Sequence, residues 1–307
     1  MNSLCFGTEM WEYQMLPPAR EGHRCVGFDR RGHGRSDDVW GGFDLDSLAD
    51  DLQGLLDRFD LRGVTLVGHS LGTAEIVRCL TRHGADRVTR VALVAGMAPG
   101  PARSANHPEG VDPELLRAGT EAFRRDHSVF FTDGAHAFFA LDRPGNDLSE
   151  AYVETMIRRC HGSTARAGVA LGELIAELDV APELAALDLP VLVVHGTHDT
   201  SGPIELTGHR ASPRRPPSRC TRTPATASSP PTPTASPRTC ANSWPGAGTA
   251  TVLVLTAGQF RRRAITRCRR SSRCQGLTSA GPGRRSADRG LPRRRSGVSA
   301  SAWAGLL

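Results

Sequence analysis

Lysine does not occur in this chain: all 38 basic residues are arginine. Arginine has GC-rich codons and lysine does not, so its absence points to a GC-rich coding sequence. Long hydrophobic runs are missing too. No stretch of about 18 apolar residues is available to span a bilayer, and no signal peptide precedes the first apolar strand, which gives a cytoplasmic expectation with no membrane partner. The eight cysteines, at 5, 25, 79, 160, 220, 240, 268 and 274, form no Cys-x-x-Cys pair. They read as free thiols in a reducing compartment rather than a disulfide frame or a zinc site. No His-Glu-x-x-His or similar ligand spacing supports a metal. No Gly-x-Gly-x-x-Gly follows the first strand, which argues against a dinucleotide fold. No haem or flavin motif is present, so no cofactor is expected.

What is present is unevenly distributed. Residues 211–307 carry 18 Arg and a single acid, Asp288, a charge of about +17, while residues 1–210 sum to about −11. The formal net charge of +6 and pI near 9.2 describe neither part. This divides the chain into a core over 1–210 and an Arg/Pro/Ser-rich tail over 211–307. By composition the tail has little to bury and is expected to be disordered or poorly packed.

Within the core, Cys25–Asp29, Val64–His69, Val91–Gly96 and Val191–Gly196 read as short apolar strands. Met10–Arg20 and Thr73–His83 read as helices. Asp44–Leu61 does so on the spacing of Leu45, Leu48, Leu52, Leu55, Leu56 and Phe59. Continuous apolar strands alternating with amphipathic helices predict an α/β fold with a parallel sheet covered on both faces. Residues 97–187 hold helical spacing and five phenylalanines but no convincing strand, which predicts a helical lid over the carboxyl ends of the strands.

The centre of this pattern is Val64-Thr65-Leu66-Val67-Gly68-His69-Ser70-Leu71-Gly72. A strand, then Gly-x-Ser-x-Gly, then a helix is the arrangement that holds a serine clear of the sheet. The glycines Gly68 and Gly72 are required because the turn is too tight for flanking Cβ atoms. The following helix turns its free N–H groups toward charge developing on a substrate.

The chain resembles the α/β-hydrolase superfamily, most closely the cofactor-free haloperoxidases or perhydrolases with related aryl esterases and enol-lactonases. The matching segments, in order, are Met10–Gln14, Asp29-Arg30-Arg31-Gly32-His33-Gly34-Arg35-Ser36, Ala49–Leu52, Gly68–Gly72 and His195-Gly196-Thr197-His198-Asp199, and they cover residues 1–210. The resemblance implies a serine hydrolase acting on a small carboxylic ester, or carrying out perhydrolysis, through an acyl-enzyme. Ser70 matches the nucleophile and Asp199 the triad acid. The backbone N–H groups of Leu4 and Leu71 match the oxyanion hole, and Gly68, His69 and Gly72 complete the elbow. The family also has strands ahead of Asn2 and a terminal strand-adjacent helix after its catalytic histidine, so the fold is expected to be incomplete at the N-terminus and the C-terminus.

The family's catalytic histidine belongs near residue 228, but no histidine follows His209. Taking the last base of each codon with the first two of the next, permitted codons for Ala211–Ser229 allow Leu-Pro-Glu-Ala-Thr-Pro-Val-Thr-Val-Tyr-Glu-Asp-Ala-Gly-His-Gly-Leu-Phe. Its histidine falls across Ala225 and Thr226. A shifted reading frame is therefore the leading account of the tail and of its Arg, Pro and Ser excess. As substitutes for the lost base, His33, His69, His136, His161, His195 and His198 all fail to occupy the triad position. His69 reads as a packing residue of the elbow and His33 as a hydrogen-bonded loop residue. Asp29 reads as the anchor of the Arg30-Arg31 loop, and Asp50-Asp51 as the solvated face of a helix. Two other classes follow from the same residues: a catalytically inactive hydrolase-like protein, and binding of an anionic polymer by the arginine-rich tail. Nucleic-acid binding is disfavoured, because the arginines are not interleaved with aromatics and no nucleic-acid motif is present.

Overall fold

The computed structural model describes residues 1–143, 146–197, 199–208 and 210–211, together with the backbone of the strand at 251–255. The rest of the tail, with the shifted-frame segment and four of the cysteines, lies outside the described residues, as do His198 and His209.

Four strands, β1 (Val64–His69), β2 (Val88–Val94), β3 (Val191–Gly196) and β4 (Thr251–Leu255), form one parallel sheet in the order β1-β2-β3-β4. His69 is level with Val94, and Val94 with Val194. The first three strands therefore end together, and their following loops gather at one edge. Parallel strands need covered faces, and the helices supply the cover. A short 3₁₀ turn (Thr8–Trp11) leads into α1 (Glu12–Arg20), and α2 (Leu45–Arg58) and α3 (Leu71–His83) follow. Helix α2 starts at Asp44, whose side chain accepts from Ser47 N, satisfying one of the free donors of the first turn. Of its buried residues, Leu45, Ala49, Leu52 and Leu56 pack with α3 and β1–β3 into the main core, while Leu48 joins the second apolar cluster.

The span 97–187 is helical, as its spacing predicts: α4 (Pro113–Arg125), α5 (His127–Phe138), α6 (Glu150–Cys160), α7 (Ala165–Ala176) and α8 (Ala181–Ala186). Asp112, Asp126, Ser149 and Thr164 cap α4, α5, α6 and α7 with their side chains. A second apolar cluster joins these helices through Phe123, Phe130, Phe131, Met156 and Leu171 to Leu4, Cys5 and Phe6 near the N-terminus and to Leu71 in the elbow. No described helix is long and apolar enough to cross a membrane.

One expectation fails. Cys25–Asp29 forms no strand and takes part in no ladder. No described strand lies beside it to pair with, and two of its carbonyls are taken by side chains: Asn2 Nδ2 donates to Phe28 O and Ser36 Oγ to Asp29 O. The free edge of β1 is met instead by Met1, whose amine donates to Val67 O and whose carbonyl accepts from His69 N.

Candidate active site

Strand β1 ends at His69 and α3 begins at Leu71, so Ser70 alone turns the chain. It does so at φ 52°, ψ −123°, a conformation that costs a residue with a Cβ about 1–3 kcal/mol and persists only when its surroundings enforce it. Here they do. Ser70 N donates to Val94 O, and the Ser70 carbonyl accepts from Thr73 N, Met97 N and, at 2.7 Å, Thr73 Oγ1. Thr73 Oγ1 in turn accepts from Ala98 N. Both glycines are needed for contact reasons. A Cβ on Gly68 would stand 2.7 Å from Gly72 O, and one on Gly72 would stand 2.6 Å from Met1 Cβ and 3.0 Å from Asn2 O.

The Gly72 contact shows what lies over the elbow: the segment Met1–Phe6. Leu4 and Leu71 are both fully buried, in the same apolar cluster. The structure thus brings Leu4, Gly68, His69, Ser70, Leu71 and Gly72 into one junction. The segment is held from beneath by the Asp29–Ser36 loop. Arg30 Nη1 donates to Ser3 O at 3.1 Å and Nη2 to Asn2 O at 2.8 Å, while Nε donates to Glu75 on α3. His33 Nε2 accepts from Cys5 N at 3.2 Å. Asp29 is the anchor its position predicts. Its carboxylate accepts from Thr8 N, Thr8 Oγ1 and Arg35 N, and these hydrogen bonds hold its pKa low against the opposing effect of burial.

Beside the junction lies a cavity of about 300 Å³. His69, Ala95 and His195 form part of its floor. Phe6, Trp11, Phe138, Phe139, Tyr152 and Met156 form most of its walls. The aromatics come from the N-terminal segment and the lid. Ser70 itself is buried and lies next to this lining rather than in it. His69, which reads as a packing residue, also faces the cavity. Its ring meets Trp11 edge-on, its Nδ1 has no partner among the described residues, and burial holds its pKa down to about 4.

Asp199 stands three residues past β3. Its Oδ1 accepts from Ser201 N and Gly202 N, both at 2.9 Å, and burial pushes its pKa up. Its Oδ2 lies 3.6 Å from Nε2 of His195, which donates to Gly202 O at 2.6 Å. Ser70 and Asp199 therefore follow the ends of two strands that flank β2, with the cavity between their loops. The remaining histidines fall as expected: His33 is a hydrogen-bonded loop residue, and His136 and His161 belong to the lid. Asp50 and Asp51 lie on α2, paired with Arg82 and Arg31. The four described cysteines are free. Among the described residues no cluster of three or more His, Cys, Asp or Glu gathers at metal-binding range.

Glu75 and Thr73 belong to this junction although no sequence motif marks them for it, and Arg30, which stands in the Asp29–Ser36 segment, belongs to it in a role that segment does not announce. Glu75 carries one signal, as a lone acid on the apolar face of α3. Of the cavity aromatics, Phe138 and Phe139 are visible in the sequence as part of the lid's phenylalanine cluster, but not as a wall.

A strained serine between a parallel strand and a helix, flanked by two close-packed glycines, defines an α/β-hydrolase. The sequence model of the alpha/beta hydrolase fold matches residues 3–224, and the chain belongs to that family. It is 36% identical over 204 residues to the non-heme chloroperoxidase CPO-A1 of Kitasatospora aureofaciens, covering 66% of this chain and 74% of that protein. It is 31% identical over 206 residues to the bifunctional esterase/perhydrolase DCH of Acinetobacter calcoaceticus, covering 67% and 75%. Among solved structures it is similar to a bromoperoxidase from Bacillus anthracis, with a TM-score of 0.62 and 29% identity over 67% of this chain and 75% of the other.

Proposed function

We propose that this chain is built for acyl transfer from a small, uncharged carboxylic ester, with hydrolysis or perhydrolysis as outcomes, and that its activity is impaired by the lack of a triad histidine. The observation that carries the reading is Ser70 at φ 52°, ψ −123° on the β1–α3 junction. In the intact scheme Ser70 Oγ attacks the ester carbonyl, a histidine takes its proton, and Asp199 orients that histidine. The amides of Leu4 and Leu71 hold the oxyanion. Such donors are effective because they are fixed before the negative charge forms. The similarity to an esterase/perhydrolase and to chloroperoxidases supports this chemistry, and the largely apolar cavity supports an uncharged ester. No cofactor enters the scheme, and the free cysteines suit a reducing cytoplasm.

The missing base sets the expected rate. Losing one member of a triad typically costs about 10⁴–10⁶ in kcat, leaving binding and the oxyanion site. Turnover of a small aryl ester should therefore be weak or absent, and any that remains should vanish in Ser70→Ala. Activity above about one per cent of an intact relative, lost in Ser70→Ala, would overturn the impairment and point to a substitute base. We further propose that residues 1–210 are the in-frame hydrolase core and that 211–307, the source of β4, is read out of frame. The coding DNA decides this, because a single-base shift near codon 211 must restore Gly-His-Gly across Pro224–Ala227.

The second reading, binding of an anionic polymer by the tail, rests on its charge of about +17. It requires affinity that falls steeply with salt, and salt-independent or absent binding removes it.

A further inference from the structure

Arg30 takes no part in the acyl-transfer scheme, yet its hydrogen bonds join the two segments that frame the proposed oxyanion site. We propose that Arg30 is a positioning residue for that site: it aims the Leu4 N–H by holding the Ser3 carbonyl of the same peptide unit, with Glu75 tying it to the elbow helix and His33 fixing the next peptide. This rests on the reading of Ser70 as nucleophile and Leu4 as an oxyanion donor.

The Ser3–Leu4 bond is trans, so its C=O and N–H are coplanar and point in opposite directions. Fixing the carbonyl fixes the amide. Arg30 Nη1 bonds that carbonyl at 3.1 Å, and Nη2 bonds the preceding one, Asn2 O, at 2.8 Å. A planar guanidinium that spans two consecutive carbonyls sets orientation as well as position.

The next peptide unit is held from its other end. Cys5 N donates to His33 Nε2. An amide N–H can only donate, so Nε2 carries the lone pair and Nδ1 carries the proton, which it gives to Arg31 O at 2.9 Å. Burial and the Arg30 charge, pushing the His33 pKa down to about 3, keep the ring in this neutral form. Leu4 thus sits between two clamped peptides. The clamps are needed because Cys5 has φ 63°, a left-handed conformation that a non-glycine residue does not hold unaided.

The second half of the device is the link to the elbow. Arg30 is 2% exposed and Glu75 is fully buried, and they meet at 2.5 Å. Glu75 lies on α3, five residues after Ser70. Both proposed donors, Leu4 N–H and Leu71 N–H, are therefore referenced to one buried charge pair, and their separation follows from it. A buried ion pair is a weak source of net stability. A role in fixing geometry is consistent with its burial.

The test uses phenylboronic acid on the full chain. The Ser70 Oγ–B bond forms, the Oγ proton leaves to buffer, and boron becomes four-coordinate and anionic with an oxygen in the oxyanion site. Boron-11 NMR reads that adduct. Acetophenone, neutral and planar, reports occupancy of the cavity without an oxyanion. In Arg30→Met/Glu75→Leu, which removes both charges together, adduct affinity should fall about tenfold or more while acetophenone affinity stays within about twofold. Arg30→Lys, whose three donors sit on one nitrogen and lack the planar fork that spans two consecutive carbonyls, should fall between that variant and the unaltered protein.

Retained adduct affinity in both variants overturns the proposal, and so does parallel loss of both probes, which marks a purely structural role. The adduct should be absent in Ser70→Ala. No four-coordinate signal from the unaltered protein, or its survival in Ser70→Ala, sinks the reading of the site itself, an outcome distinct from failure of the clamp.

Discussion

Asp199 Oδ2 stands 3.6 Å from His195 Nε2, while Asp199 Oδ1 accepts from the amides of Ser201 and Gly202. The carboxylate proposed as triad acid therefore also organises the loop after β3. Asp199→Ala leaves two amides without their acceptor and is expected to lower stability by about 1–3 kcal/mol. Asp199→Asn keeps one acceptor oxygen and should lose less. Urea titrations of the two variants check both the order and the size, and equal midpoints would contradict the loop role.

A pH dependence follows from His33 and His69, whose pKa values burial lowers to about 3 and about 4 from a usual 6.5. The unfolded chain binds the proton first, so their contribution is complete above pH 6.5 and is lost as pH falls toward 3. Stability should therefore decline across pH 6.5–3. Lowering a group's pKa by one corresponds to about 1.4 kcal/mol, which sets the scale of the decline. Urea midpoints measured across that range should fall less steeply in His33→Gln, whose amide oxygen still accepts from Cys5 N. An unchanged slope would mean that His33 is not held neutral by the fold.

Gly68→Ala tests the elbow by contact. Its Cβ meets backbone, Gly72 O at 2.7 Å, which cannot swing aside like a flexible side chain. A cost of about 1–3 kcal/mol is expected from overpacking. Gly54→Ala on α2, with open space around the new Cβ, should be stabilising by about 0.5–1 kcal/mol. Thermal unfolding of the two variants separates them.

Ligand entry to the cavity should be visible in fluorescence. Trp11 lines it and is 9% exposed, while Trp40 is 87% exposed and lies outside the lining. A neutral aryl ketone such as acetophenone should quench the Trp11 component. Trp11→Phe should abolish the saturable response and Trp40→Phe should keep it. A response that survives Trp11→Phe places the ligand elsewhere.

Much of this molecule was legible in its sequence because the relevant forces are local. The elbow declares itself through Gly68, Ser70 and Gly72, since a tight strand-to-helix turn restricts which residues have room. Helix α2 follows from leucines at helical spacing behind a capping Asp44, and β3 from an unbroken apolar run. Cys25–Asp29 shows the limit. Its composition suits a strand, but a strand exists only through a neighbour's hydrogen bonds, and none is present among the described residues.

The sequence by itself determined the family, the nucleophile candidate and the absence of a histidine after His209, because each depends on residue identity and order. Only the tertiary structure decided that Arg30, 45 positions from Glu75, joins the N-terminal segment to the elbow helix, and that His69 and His195 share a cavity with Trp11 and lid aromatics. Those relations are set by how the Asp29–Ser36 loop, α3 and the lid pack in space, and side chains distant along the chain carry no local pattern that would announce their meeting.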